Sequence, residues 1–253
     1  MEPGPLLADL QAEHDDLARR LDGQDWQLST PAEGWNVHDT VAHLQAFDGE
    51  AAKASTDPDG FTRDLTTTLG ENPLNFVERM TDERRSVPQD ELQQRWYDGF
   101  EALLAGLRRA DPDVRVPWYG PPMSLASCAT ARVMEYWAHG QDCVDALGQQ
   151  REPTARLKNV AHLGVRTRGF AFANAGQDMP TQDVRVELQA PDGSIWSWGS
   201  GPDTVAGSAL DFCLLVTQRR ARHDLALTAE GPTANAWLEI AQCFAGPPGK
   251  GRS

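Results

Sequence analysis

Glu135 and His139 stand four residues apart in the stretch Leu125–Leu147, LASCATARVMEYWAHGQDCVDAL. The stretch has no proline and a single interior glycine, Gly140, so it reads as one helix. On one helix an i, i+4 carboxylate and imidazole converge on a common point, which is what a first-row divalent metal asks of its ligands. Asp142 falls within roughly 60° of both at 3.6 residues per turn. Arg132 and Cys128 extend the same line toward the N-terminus. The pattern also describes a solvated polar stripe, because Val133, Tyr136, Trp137, Val144 and Leu147 gather on the opposite side. A metal reading needs a third ligand from elsewhere in the chain.

The elements that must supply it come earlier. Leu6–Leu21 is an amphipathic helix, with Leu7, Leu10, Leu17 and Leu21 at helical spacing. A second helix opens at Trp35-Asn36-Val37-His38-Asp39 and runs to about Ala54, with Asn36 as cap and Asp39 in the first turn. It carries two histidines, His38 and His43, on opposite margins of the Val37, Val41, Leu44 stripe, and periodicity does not choose between them. Ser55–Thr68 is polar and turn-rich, a connection with room for a short helix. Asn75–Met80 begins a third helical region, Pro88 restarts it, and Leu92, Trp96, Phe100, Leu103, Leu104 and Leu107 form its apolar face. Val114–Ser124, with Pro117, Pro121 and Pro122, is a stiff loop bearing Trp118 and Tyr119. Four long helices with polar links suggest a helical bundle over 1–150.

After the polar, Pro153-containing stretch Gln149–Thr154 the pattern changes. Leu157–Phe172 reads as a helix, and Val184, Val186 and Leu188 alternate with Arg185 and Glu187. Pro191-Asp192-Gly193 then turns the chain into Ile195–Trp198, a β-hairpin. Ala209–Thr217 is expected as a helix, His223–Thr228 as a strand and Ala234–Phe244 as a final helix. Residues 151–253 are therefore a smaller α+β domain.

Composition narrows the function. A net charge of −14 argues against nucleic acid and anionic membrane surfaces, and no apolar run approaches the ~20 residues that span a bilayer. The N-terminal stretch lacks the basic start and apolar run of a secretion signal. Cys128, Cys143, Cys213 and Cys243 are scattered without a CxxC spacing, as buried thiols of a cytoplasmic protein would be. Oligomeric state is not readable, since no heptad seam is present.

The order of motifs resembles a known family. PAEGWNVHDTVAHL followed by RVMEYWAHGQD is similar to the N-terminal domain of mycothiol-dependent maleylpyruvate isomerases, within the wider DinB-like metal-binding four-helix bundles. The resemblance covers roughly Leu6 to Leu147, and it implies His43, Glu135 and His139 as metal ligands, with Asp39 and Asp142 as neighbours. The second half resembles the family's sterol-carrier-like α+β domain. There GSALDFCLLVTQR is similar to a helix whose arginine faces the active-site cleft, which implies Arg219, with Arg220 one register away. The stretch WLEIAQCFAGPPG departs from the isomerase and indicates a distinct subfamily with its substrate left open.

Two histidines and one carboxylate leave a coordination position open, the mark of a catalytic rather than a structural zinc. Nickel and iron accept the same donors. The resemblance implies that a low-molecular-weight thiol, mycothiol or similar, is ionised there and attacks a small electrophilic substrate, for cis–trans isomerisation or S-transfer. In that reading Asp142 orients a ligand or a bound water and Arg219 binds a substrate carboxylate. Two alternatives stand beside it: a metal enzyme using bound water for hydrolysis or lyase chemistry, and a non-catalytic binder of metal or of an apolar ligand.

Overall fold

The computed structural model describes residues 3–69 and 75–252. The chain forms two compact units, Met1–Gln150 and Arg151–Ser253. In the first, α1 (Pro3–Leu21), α2 (Val37–Thr56), α5 (Gln89–Arg109) and α6 (Leu125–Ala146) are the long helices, with the shorter α3 (Pro58–Leu69) and α4 (Phe76–Asp82) between α2 and α5. The α2 helix packs on α5 and α6, and α1 packs on α6 and α5, around one apolar core. The core contains Leu10, Leu17 and Leu21 of α1, Val41 and Leu44 of α2, Trp96, Phe100 and Leu103 of α5, and Val133 and Tyr136 of α6.

The start of α2 is tightly specified. Asp39 N–H donates to Asn36 Oδ1 at 2.8 Å, and Asn36 N–H donates to Asp39 Oδ2 at 3.2 Å. This reciprocal capping box satisfies two otherwise orphaned donors and sets where the helix begins. Its far end approaches α5 closely. A Cβ on Gly106 would meet Thr56 Cγ2 at 3.0 Å and Ser55 Oγ at 3.2 Å, so a hydrogen there lets the two backbones meet. The short helix allowed for in the connection Ser55–Thr68 is α3, which fills most of it. Asp57 Oδ1 accepts from Gly60 N–H at 2.9 Å and starts that helix straight after α2. The proline-rich loop closes on itself through a two-residue pairing of β1 (Arg115–Val116) with β2 (Met123–Ser124). Ser124 then caps α6, accepting from Ser127 N–H at 3.1 Å.

The second unit contains α7 (Leu157–Arg166), α8 (Arg168–Asn174), β3 (Val184–Gln189), β4 (Ile195–Trp198), β5 (Asp203–Ser208), α9 (Ala209–Val216), β6 (Thr228–Glu230) and α10 (Pro232–Ile240). Its sheet runs β4-β3-β5-β6, with β3 and β5 parallel and the other pairs antiparallel. This is a helical unit followed by an α+β unit, as the sequence patterns indicate.

Several details differ. The helix expected over Leu157–Phe172 breaks at Thr167, whose Oγ1 donates back to Leu163 O at 2.8 Å. The strand expected at His223–Thr228 is instead a 3₁₀ turn at Arg222–Asp224, and pairing begins at Thr228. Strand β5 had no clear sequence signal, since DTVAGS holds one large apolar residue. The last helix stops at Ile240, short of Phe244. Among the described residues, no helix is long and apolar enough to cross a membrane.

Candidate metal centre

The packing of α2 against α6 brings together His43, Glu135 and His139. One ligand atom from each lies within 4.8 Å of the others. His43 Nε2 and His139 Nε2 each stand 3.3 Å from Glu135 Oε2. Donors about 3.3 Å apart are what a tetrahedral zinc site with bonds of about 2.0–2.1 Å presents, so the donor set fits such an ion in type, and both histidines stand at that spacing from the carboxylate.

His43 is almost wholly buried, whereas the Glu135 and His139 side chains are 24% and 14% exposed. Burial, reinforced by the charge of His139, pushes the His43 pKa down to about 4. Burial also works to raise Glu135, but hydrogen bonds from His139 and His43 outweigh it and hold the carboxyl well below its usual range. At neutral pH the pair is therefore a neutral imidazole and a carboxylate, the forms that bind metal. His43 Nδ1 is buried with no hydrogen-bond partner among the described residues, whereas Nε2 of the same ring faces Glu135 in the cluster.

On the other side of His139, Nδ1 lies 3.4 Å from Oδ2 of the fully buried Asp142. A carboxylate behind a histidine selects the tautomer and aims the other nitrogen. Trp35 lies nearly parallel to the His139 ring, 6.0 Å between centroids, and is 5.4 Å from His43. Phe47, one turn after His43, touches that ring at 4.7 Å. Neither aromatic was singled out from the sequence, although Trp35 sits inside the first motif and Phe47 follows His43 at i+4.

The remaining residues sort clearly. His38 Nε2 is 2.8 Å from Val87 O and ties α2 to the segment before α5, away from the cluster. Asp39 caps its helix and pairs with Arg85 at 2.9 Å. Burial raises the Cys128 thiol to about 11, which keeps it protonated, and all four cysteines are buried thiols. Trp118 and Tyr119 pack on Phe47 and Phe61, one aromatic layer from His43, and Tyr119 OH donates to Glu50 at 2.7 Å. In the second unit Arg219 lies three residues beyond the end of α9 rather than on it. Its N–H donates to Leu214 O and its Nη1 to Thr217 O, at 2.8 and 2.7 Å. Gln218, at φ 57°, makes the turn that takes the chain there.

The mycothiol maleylpyruvate isomerase N-terminal domain family matches residues 7–143, more than half of the chain. The chain belongs to that family. The matched stretch runs from α1 into α6 and holds His43, Glu135, His139 and Asp142, while Arg219 lies outside it. Two relatives of this chain are uncharacterized proteins of Mycobacterium tuberculosis, from strains CDC 1551 / Oshkosh and ATCC 25618 / H37Rv. Each is 46% identical over 256 residues, covering 99% of both chains. Two crystal structures of mycothiol-dependent maleylpyruvate isomerase, one of them a mutant, share the fold. The TM-score is 0.62 for both, at 15% identity over 92% of this chain and 96% of theirs.

Proposed function

We propose that this family member is a metal-dependent enzyme that activates a low-molecular-weight thiol, of the mycothiol type, and adds it to a small electrophile for cis–trans isomerisation. S-transfer is the same chemistry without the elimination step. The observation that carries the reading is the His43–Glu135–His139 cluster, three donors of metal-binding type, of which burial holds His43 neutral and hydrogen bonds hold Glu135 ionised. In this reading α1, α2, α5 and α6 are the DinB-like four-helix bundle that builds the site over 1–150, and 151–253 is the sterol-carrier-like domain.

Zinc is the proposed ion, and Ni²⁺ or Fe²⁺ would suit the same donors. Bound there, it would ionise a coordinating thiol at neutral pH, because one carboxylate leaves a net positive charge to favour thiolate. The protein's own groups do the rest. Asp142 holds the His139 tautomer, while Trp35 and Phe47 wall the two imidazoles with apolar surface. The thiolate sulfur adds to the substrate double bond, rotation occurs about the resulting single bond, and expulsion of the thiolate restores the double bond with opposite geometry. Arg219 is proposed to grip a substrate carboxylate through its planar guanidinium. Its support is the resemblance of GSALDFCLLVTQR to the arginine-bearing helix of the isomerases. The four buried cysteine thiols fit a reducing cytoplasm in which a small thiol is available.

The test is metal content of purified wild type beside His43→Ala and Glu135→Ala, followed by assays on maleylpyruvate with and without mycothiol. About one ion per chain, lost in both variants with unchanged circular dichroism, and turnover only with thiol, is the expected result. A wild type that takes up no metal after reconstitution refutes the reading. Turnover without thiol would replace it with bound-water chemistry.

A further inference from the structure

A second polar group lies under the metal cluster. Asp48 on α2 is fully buried, and both of its oxygens are taken by residues of α6. Arg132 Nη2 donates to Oδ1 at 2.8 Å, and Tyr136 OH donates to Oδ2. Trp96 Nε1, from α5, donates to the same tyrosine oxygen at 2.8 Å. Arg132, Tyr136 and Trp96 are all buried, and the Arg132 guanidinium lies 5.7 Å from the Tyr136 ring centre. The mechanism proposed above uses none of these groups.

Stability alone is a poor reason for such a group. Removing a carboxylate and a guanidinium from water costs several kcal/mol each, and apolar residues of similar volume often serve a fold equally well. What the group supplies that apolar packing does not is direction. Arg132 and Tyr136 are one turn apart on α6 and hold the two oxygens of one α2 side chain. Sliding or rotating either helix by one residue, about 1.5 Å along the axis, would leave a charge unpaired in the core.

That register matters at one place nearby. Arg132 and Tyr136 bracket Glu135 in sequence, and Asp48 follows His43 by five residues. Two of the three cluster residues are fixed to each other on α6, while His43 reaches them only through the α2–α6 packing. A metal site needs its ligands held to within about 0.5 Å.

We infer that the Asp48–Arg132–Tyr136 clamp sets the α2–α6 register that brings His43 to Glu135 and His139, making these three positioning residues for the metal site. The inference rests on the metal reading of that cluster. The test compares zinc affinity by calorimetry, and the visible absorption of the Co²⁺-loaded protein, in wild type, the Asp48→Leu/Arg132→Met double variant and Tyr136→Phe.

The double variant replaces the ion pair by apolar side chains and is expected to keep its circular dichroism and melting temperature while zinc binding weakens at least tenfold. Its Co²⁺ spectrum should lose the tetrahedral intensity of wild type. Tyr136→Phe removes one hydroxyl only and is expected to weaken zinc about threefold; it carries the test if the double variant does not fold. Folded variants with wild-type zinc affinity and an unchanged Co²⁺ spectrum overturn the inference and leave the metal reading standing. A wild type that binds neither ion removes both.

Discussion

Acid should destabilise the metal-free protein through His43, and the size of the effect follows from its burial. In the unfolded chain the imidazole titrates near 6.5, and in the fold near 4. Between those values the unfolded state binds the proton and the folded state does not, so stability rises with pH and is lost as pH falls. The contribution is fully present above pH 6.5 and is lost progressively down to about 4. From pH 7.5 to 5 the loss is about 2 kcal/mol.

Other groups bear on the measurement, among them His14 and His162, which burial also lowers and which are common to both proteins compared. Burial, partly offset by Arg132 and Tyr136, raises Asp48 to about 6. Its sign is opposite: it costs stability at neutral pH and returns it as the pH falls through 6. That contribution is common to wild type and to a His43→Gln variant, so it cancels between them. Glu135, held low, loses its stabilising effect only below the usual carboxyl range, outside the window. Urea unfolding of the two metal-free proteins at pH 7.5 and 5 should therefore show wild type losing about 2 kcal/mol more than the variant. Equal losses, within about 0.5 kcal/mol, would mean that His43 is not held neutral by burial and would refute the reasoning.

Three further outcomes are expected. Asp142→Asn keeps the shape but removes the charge behind His139, so zinc affinity by calorimetry should fall about tenfold, worth about 1.4 kcal/mol. Asn36→Ala deletes the α2 capping box and should lower stability by about 1 kcal/mol in chemical unfolding. Gly164→Ala on α7 would place a methyl 2.9 Å from Val216 Cγ2 and 3.1 Å from Phe212 Cε1 on α9; overpacking of this kind should cost about 1–3 kcal/mol, read from the same unfolding curves.

Much of the helical unit is legible as pattern. The i, i+4 pair of Glu135 and His139 follows from helix geometry once Leu125–Leu147 is read as one helix, and the observed α6 runs Leu125–Ala146. Asn36 and Asp39 announce the start of α2 because capping is a local interaction between residues three apart. The hairpin of β3 and β4 is equally local, with alternation on either side of a Pro-Asp-Gly turn. Strand β5 escaped because its partner β3 lies across a crossover, and parallel pairing leaves no turn signature.

Packing settled what periodicity left open. His38 and His43 lie on opposite margins of one apolar stripe, and nothing within α2 distinguishes them. The neighbours do: α6 faces His43, and the segment before α5 takes His38 through Val87 O. The polar line of α6 is a second case. Read on its own it is a solvated face, yet Arg132 and Asp142 are buried because α2 and its partners cover that side as well. A helix covered on several sides loses its amphipathic signal, so the type and spacing of its polar residues can be read from the chain, but their burial, pairing and protonation depend on the helices that surround them.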